Sequence, residues 1–276
     1  MMGFSSNKFC QALFQSSVVA PLLVDELPQA SAFPCHTLVA PKEPTPLNFQ
    51  QKLGHLYEDV LAVMLKSTPR YESLARGMQI CQNAGRTLGE LDFLVRDLIA
   101  DQLIHLELAV KFYLVVETPD GVLLPGPDAR DNYFRKLEKM QSHQLLLVEK
   151  YQHLMPEEFR HHPIITQHAV HGCIFEHVHA KQQVQARCLN RVGRRGKWLH
   201  AKDCKDYFGE KAQLEIIPKP LWPVPLNILQ GISLEKWEPD QKINRCVMVR
   251  DEAVDKPYFI APDGYPANQH NSSHSA

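Results

Sequence analysis

Apolar positions change their spacing along the chain and thereby predict a succession of helices and strands. From Phe49 to Lys66 they recur every three or four residues, which is the spacing of an amphipathic helix. Between Leu103 and Val116 every even position is apolar and the odd positions are mixed, which predicts a long strand with one buried face. A shorter alternation from Gly89 to Asp97 predicts a second strand, and residues 72–82 predict a weaker strand before it.

A second helix is predicted after the third strand. The proline- and glycine-rich turn at 124–127 leads to Asp128, a plausible N-cap, and from there an apolar stripe continues to about Tyr151. Residues 49–151 therefore give the order helix, three strands, helix. This order predicts an α/β unit in which helices cover a sheet.

The flanking segments are less periodic and suggest a division of the chain into four parts. Residues 1–48 predict a helical, proline-rich arm that wraps around the main body. Residues 49–155 form the predicted core, and residues 156–260 form a C-terminal lobe with short alternating stretches. Residues 261–276 are expected to be a flexible tail.

Composition narrows the classes of protein that remain. The 276 residues are 44% apolar, and 30 Lys and Arg against 31 Asp and Glu give a net charge of -1. There is no global positive field for nucleic acid or an anionic membrane, so such a partner needs a local patch. Seven cysteines without a C-x-x-C pair are typical of reduced thiols, and no apolar run approaches the roughly 18 residues of a membrane span. We expect a cytoplasmic protein with no membrane partner.

Two acidic residues stand out because they interrupt predicted strands. Asp92 and Glu107 lie on successive strands, each on the face opposite the apolar stripe. If these strands pair, the carboxylates converge, since paired strands lie about 4.8 Å apart. Lys111 shares the face of Glu107, and Glu58 on the preceding helix offers a third carboxylate. Carboxylates beside an ammonium suit a magnesium ion that acts on a phosphoryl group.

Four phrases of the segment resemble a known family. They are Gly54 to Glu58, Arg86 to Leu94, His105 to Leu114, and Gly126 to Leu145. They are similar to the bacterial family named domain of unknown function 1853, which is grouped with the PD-(D/E)XK nuclease superfamily. The resemblance covers residues 49–147 and extends more loosely to the remainder. It implies a restriction-endonuclease-like α/β core of helix, three strands, helix and strand, with an N-terminal arm and a C-terminal extension.

The resemblance also implies roles for individual residues. Asp92 corresponds to the first metal-binding acid of the superfamily and Glu107 to the second. The main-chain carbonyl of Leu108 resembles an additional ligand, and Glu58 resembles an accessory acid. Lys111 is the candidate for the superfamily lysine. The implied cofactor is Mg²⁺ or Mn²⁺.

The position of the lysine departs from the superfamily pattern. The usual spacing places it two residues after the second acid, where this chain has Ala109, so Lys111 lies roughly 7 Å farther along the strand. One alternative is that Lys136 and Lys139 of the following helix take the cationic role, with Gln144 also facing the sheet. Another alternative is that the site is no longer catalytic.

A basic segment from Arg187 to Lys205 predicts contact with nucleic acid. It holds seven basic residues, and Trp198 lies among them as an aromatic for base stacking. The predicted nucleic-acid-binding residues are Arg191, Arg194, Arg195, Lys197, Lys136, Lys139 and Gln144.

These observations support a leading hypothesis and two rivals. The leading hypothesis is a Mg²⁺-dependent nuclease, a hydrolase of phosphodiesters that acts on nucleic acid, with DNA favoured over RNA and a homodimer left open. The first rival is an inactive nuclease-fold protein that binds nucleic acid or serves as a scaffold. The second is a structural zinc protein, because His168, His171 and Cys173 are closely spaced.

Overall fold

The computed structural model describes residues 6–82, 85–210, 212–251, 254 and 256–266. Residues 267–276 of the predicted tail and positions 83 and 84 of the predicted turn between strands lie outside these ranges. The described helices are α1 (Ser6–Val19), α2 (Leu53–Ser67), α3 (Tyr133–Ser142), α4 (Leu147–Tyr151), α5 (Glu157–Arg160) and α6 (Cys204–Phe208). Short 3₁₀ turns occur at 35–37, 144–146, 152–154, 201–203 and 219–221.

Twelve strands occur in the same ranges. They are β1 (Ser31–Ala32), β2 (Tyr71–Gln82), β3 (Arg86–Asp97), β4 (Gln102–Leu114), β5 (Val116–Thr118), β6 (Gly121–Leu123), β7 (Ile164–His177), β8 (Arg195–His200), β9 (Leu214–Ile217), β10 (Glu235–Trp237), β11 (Val247–Asp251) and β12 (Tyr258–Ala261).

Ten of these strands form one mixed sheet. Its order is β10, β9, β11, β12, β8, β7, β4, β3, β2, and β1 adds to β7. The pairs β2–β3 and β3–β4 are antiparallel, whereas β4–β7, β7–β8 and β8–β12 are parallel. The predicted order of helix, three strands, helix and strand appears as α2, β2 to β4, α3 and β7. The fold is a mixed α/β sheet flanked by helices, consistent with a restriction-endonuclease-like core.

Both faces of β4 are covered, so its mixed face does not point to solvent. Even-numbered residues such as Leu106 and Phe112 lie in the largest apolar cluster, together with α1 and α2. Odd-numbered residues such as Ala109 and Tyr113 pack in a second cluster with α3. The long strand predicted from the sequence is confirmed, but the prediction that only one of its faces is buried is wrong. Polar groups at odd positions of β4 are enclosed and must find partners within the protein.

The second predicted helix is broken into shorter pieces. Asn132, and not Asp128, caps α3, because its side chain accepts a hydrogen bond from the backbone amide of Phe134. The helix ends at Ser142, since His143 leaves helical geometry with φ of -137° and ψ of -66°. Phe134 is 43% exposed, whereas its neighbour Tyr133 is buried.

Residues before and after the core extend the same sheet. The backbone amide of Leu23 donates to the carbonyl of Val170 at 2.7 Å, and β1 pairs with β7, so the N-terminal arm wraps against the sheet. Strands β7 to β12, from the segment expected as a C-terminal lobe, are hydrogen-bonded into this sheet. Among the described helices, none combines the length and apolar character needed to cross a membrane.

Gly172 allows β4 and β7 to approach closely, and its substitution tests the register of this pair. Its φ is +154°, and an added Cβ would lie 1.7 Å from the carbonyl oxygen of Lys111. We expect Gly172→Ala to lower the free energy of unfolding by at least about 2 kcal/mol in urea titrations. Gly54→Ala, where an added Cβ meets nothing within 4 Å, is the control and should leave stability equal or raise it by up to about 1 kcal/mol. Equal stability of both variants would contradict the close approach.

Candidate active site

The candidate site lies where β3 separates from β4. Their pairing ends at Phe93 and Leu106, although β3 continues beside β2 and β4 continues beside β7. The next pair in the same register is Asp92 opposite Glu107. Here the Asp92 carboxylate takes the place of a backbone acceptor on a neighbouring strand. Its Oδ2 accepts a hydrogen bond from the backbone amide of Leu108 at 2.8 Å.

Glu107 is held on the enclosed face of β4 by residues from the second helical region. Its side chain is 1% exposed. Oε1 accepts hydrogen bonds from Nζ of Lys136, at 3.4 Å, and from the side-chain amide of Gln144. Nζ of Lys136 also donates to Oε1 of Gln144 at 2.8 Å. Oε2 of Glu107 has no hydrogen-bond partner among the described residues.

The two carboxylates influence each other electrostatically. Burial is the main cause that raises the pKa of Glu107 to about 8; the charge of Asp92 contributes to the rise and Lys136 opposes it. Burial is likewise the main cause that raises the pKa of Asp92 to about 6; the Leu108 amide opposes the rise and the charge of Glu58 contributes to it. Burial lowers the pKa of Lys136. Two acids with raised pKa values at one place favour either protonation or a bound cation.

Lys136 and not Lys111 supplies the ammonium at Glu107. Lys111 projects from the same face of β4, but its Nζ forms an ion pair with Oδ2 of Asp131 at 2.6 Å. Lys139 is exposed, and its charge also lowers the pKa of Glu107. The structure thus brings together Asp92, Glu107, Lys136 and Gln144, in the arrangement that the shifted lysine left as an alternative.

Glu58 lies near the site without joining it directly. Its carboxylate is in contact with Arg76 of β2 and with His55, each at 3.3 Å. Its charge nevertheless raises the pKa of Asp92. Glu58 therefore acts on the site electrostatically, and its oxygens are already engaged with basic groups.

Two arginines of the basic segment have their guanidinium groups engaged inside the fold, which corrects the expectation for Arg194 and Arg195. The Arg194 guanidinium donates to three consecutive main-chain carbonyls at 222–224, and Arg195 pairs with the buried Glu176 at 2.9 Å. Trp198 is 3% exposed, and its indole donates to the carbonyl of Val115, so it offers no free ring for stacking. Lys197 is half-buried in β8, and only Arg191 of the four basic candidates is exposed.

The proposed zinc ligands point to different faces of β7. His168 shares the face of Val170, which packs with α3, whereas Cys173 belongs to the cluster on the opposite face. His171 is on that opposite face too, where its ring lies 5.0 Å from the ring of Tyr57. Within the described ranges, no group of three or more His, Cys, Asp or Glu side chains is placed to hold a metal.

Two further polar residues lie near the site, one not named from the sequence and the other considered there only as a zinc ligand. Asp131, the partner of Lys111, lies in the loop before α3, and nothing in its spacing indicates that contact. His168 is the register neighbour of Glu107 on β7, and its Nε2 lies 3.1 Å from the carbonyl oxygen of Asp25. His168 could have been found by identifying β7 as a strand and by noting which of its alternating residues share the face that packs with α3.

The donor atoms fit a small hard cation. Asp92 accepts the hydrogen bond from Leu108 with its Oδ2, and Glu107 presents an oxygen that has no hydrogen-bond partner among the described residues. Magnesium is commonly held by one or two carboxylates, with water and phosphate oxygens completing its shell. These two acids, with the Leu108 carbonyl, therefore suit Mg²⁺ or Mn²⁺ better than a metal that requires three or four protein side chains.

Comparison with known proteins adds the family and nothing about activity. No curated protein matches the chain, and no solved structure matches it either. A family model described as "Domain of unknown function (DUF1853)" matches residues 19–265, which is most of the chain. The protein therefore belongs to the DUF1853 family.

Proposed function

We propose that this protein is a metal-dependent phosphodiesterase of the nuclease class that acts on nucleic acid and uses Mg²⁺ or Mn²⁺. The observation that carries the proposal is the unpartnered, buried Oε2 of Glu107 beside Asp92, with the other oxygen of Glu107 fixed by Lys136 and Gln144. A buried polar atom without a partner is costly, and a bound cation would satisfy it.

Each side chain has a separate role at such a site. Lys136 and Gln144 hold Oε1 of Glu107, which leaves Oε2 for the ion. The Leu108 amide holds Oδ2 of Asp92, which leaves Oδ1 for the same ion. When bound, the metal lowers the pKa of a water molecule and neutralises charge on the phosphate. The ammonium of Lys136 adds positive charge where the pentacovalent phosphate becomes more negative.

Nucleic acid is the substrate that best suits this chemistry and its surroundings. Lys139 and Arg135 are exposed on α3, the helix that delivers Lys136, so they can contact a phosphate backbone next to the site. The preference for DNA over RNA rests on the resemblance to the nuclease superfamily alone.

One observation favours the rival function, a nuclease-fold protein that binds nucleic acid without cleaving it. Glu107 is 1% exposed and its pKa is raised to about 8, so near neutral pH it can persist as a neutral, hydrogen-bonded carboxyl group. In that case the cluster with Lys136 and Gln144 is structural. Calorimetric titration with Mn²⁺ separates the two functions, because the structural cluster binds the ion weakly or not at all.

The raised pKa of Glu107 predicts how stability depends on pH without metal. The folded protein retains a proton that the unfolded chain releases above about pH 4.5, so folding is progressively less favourable as pH rises from about 4.5 to about 8. Urea midpoints in EDTA should fall across this window, and Glu107→Gln should flatten the fall because it cannot ionise. The control Glu72→Gln removes an exposed carboxylate of β2 and should keep the wild-type profile. Parallel profiles for wild type and Glu107→Gln would contradict the assignment.

The proposed roles predict an order of activities among variants. Asp92→Asn and Glu107→Gln should each lower the rate of cleavage of plasmid and single-stranded DNA in Mn²⁺ by about 100-fold or more, since each removes a carboxylate ligand of the ion. Lys136→Ala should lower it by about 10- to 100-fold, and Lys111→Ala by less than Lys136→Ala because the Lys111 ammonium is held by Asp131.

The matched controls are Glu72→Gln and Lys181→Ala, which alter exposed side chains away from the cluster. Both should retain the wild-type rate. Cleavage that is equal in wild type, Asp92→Asn and Glu107→Gln would assign the activity to a contaminant and overturn the proposal.

A further inference from the structure

A cleft of about 710 Å³ lies beside the candidate site without containing its carboxylates. Its walls come from the start of α2, the end of β4, the 3₁₀ turn at 219–221 and the residues that lead into β11. Lys111 belongs both to this wall and to the face of Glu107. The volume is in the range of sites that hold a small organic molecule.

The cleft carries an excess of positive charge. Its charged lining residues are Lys52, Lys111, Lys219, Arg245, Asp128 and Asp131. Both acids are engaged, since Asp131 pairs with Lys111 at 2.6 Å and Asp128 pairs with Arg130 at 3.1 Å. Lys52 and Arg245 are exposed and have no acidic partner in the part of the chain that the structure describes. Their charges are therefore available to an anion.

Aromatic side chains form another part of the wall. The Trp222 indole is fixed by a hydrogen bond to the carbonyl of Ile217 at 2.9 Å, and Nζ of Lys219 lies 5.7 Å from its ring centroid. The Tyr265 hydroxyl donates to the carbonyl of Gly126 at 3.0 Å. Rings that are held in place beside cations suit a ligand with both a planar base and a phosphate.

We propose that this cleft binds the terminal nucleotide of a single nucleic acid strand, with its phosphate at Lys52 and Arg245 and its base against the half-buried Tyr265, beside the small exposed part of Trp222. The identity of the polymer rests on the proposed function. Lys111 lies four residues beyond Glu107 on β4, roughly 13 Å away. A strand end seated in the cleft thus lies within a few nucleotides of the carboxylates. A volume of about 710 Å³ suits a single nucleotide better than a duplex.

The test measures binding in EDTA to the full chain, so that cleavage does not interfere. The probes are single-stranded DNA hexamers with a 5′-phosphate, a 3′-phosphate or neither, a blunt duplex, and a free deoxynucleoside monophosphate. We expect at least one phosphorylated hexamer to bind about tenfold more tightly than the unphosphorylated hexamer and the duplex. Binding should also quench tryptophan fluorescence, because Trp222 alone of the three tryptophans lines the cleft.

The variants locate the site. Lys52→Ala/Arg245→Ala should weaken binding of that hexamer about tenfold or more, whereas Lys66→Ala/Arg86→Ala, which also removes two exposed cations, should change it less than twofold. Equal weakening by both pairs, or by neither, overturns the proposal. A free monophosphate that binds as tightly as the hexamer identifies a free nucleotide as the occupant and overturns the strand-end assignment.

The two proposals fail in different ways. Tight, cleft-dependent binding in EDTA together with no cleavage in Mn²⁺ overturns the proposed nuclease function and supports the cleft as a nucleotide site. Wild-type cleavage together with unchanged binding by Lys52→Ala/Arg245→Ala overturns the cleft alone.

Discussion

The carboxylate of Glu107, almost entirely removed from water, constrains the structure around it. A buried carboxylate without compensation costs several kcal/mol, so charge and hydrogen bonds must be brought to it from elsewhere. The packing of α3 over β4 supplies Lys136, and the 3₁₀ turn after the break at His143 supplies Gln144. The interruption of the predicted helix thus coincides with the delivery of a partner to Glu107. One oxygen still lacks a partner in the part of the chain that the structure describes, and that deficit makes the cluster a candidate site as well as a structural one.

Because β4 is covered on both faces, each polar side chain at an odd-numbered position needs a hydrogen-bond or ion-pair partner. Lys111 meets this requirement through Asp131, and Glu107 meets it in part through Lys136. His105 does not meet it, because neither ring nitrogen has a hydrogen-bond partner in the described residues, and burial lowers its pKa to about 4. Where β3 and β4 separate, the backbone amide of Leu108 also needs an acceptor, and the Asp92 carboxylate accepts its hydrogen bond. The partners of these polar groups on β4 therefore come from α3, from the loop before it and from Asp92 of β3.

Local periodicity predicts α2 and the strands β2 to β4 because each has at least one apolar face, and parity alone places Asp92 and Glu107 on the same side. It cannot say what covers that side. Whether Lys111 or Lys136 reaches Glu107 depends on how α3 lies across the sheet, and this is set by tertiary packing. Strand β7 is not evident from periodicity because its apolar residues face both covered sides and so do not alternate along the chain, unlike those of β4. The sequence predicts that Arg194 contacts phosphate, because nothing near it in the chain indicates its real partners. These are the main-chain carbonyls of residues 222–224, which belong to a distant turn.

The distribution of charge bears on how a nucleic acid would be held. A net charge of -1 provides no long-range attraction, so recognition must come from a few contacts at close range. Arg194 and Arg195 are used inside the fold, which removes two members of the one long basic run. Lys52 and Arg245, which have no acidic partner among the described residues, line the cleft. Few phosphate contacts imply a shallow dependence of binding on salt concentration, because each neutralised phosphate contributes to that slope. A protein built in this way is better suited to hold a strand at its end than along its length.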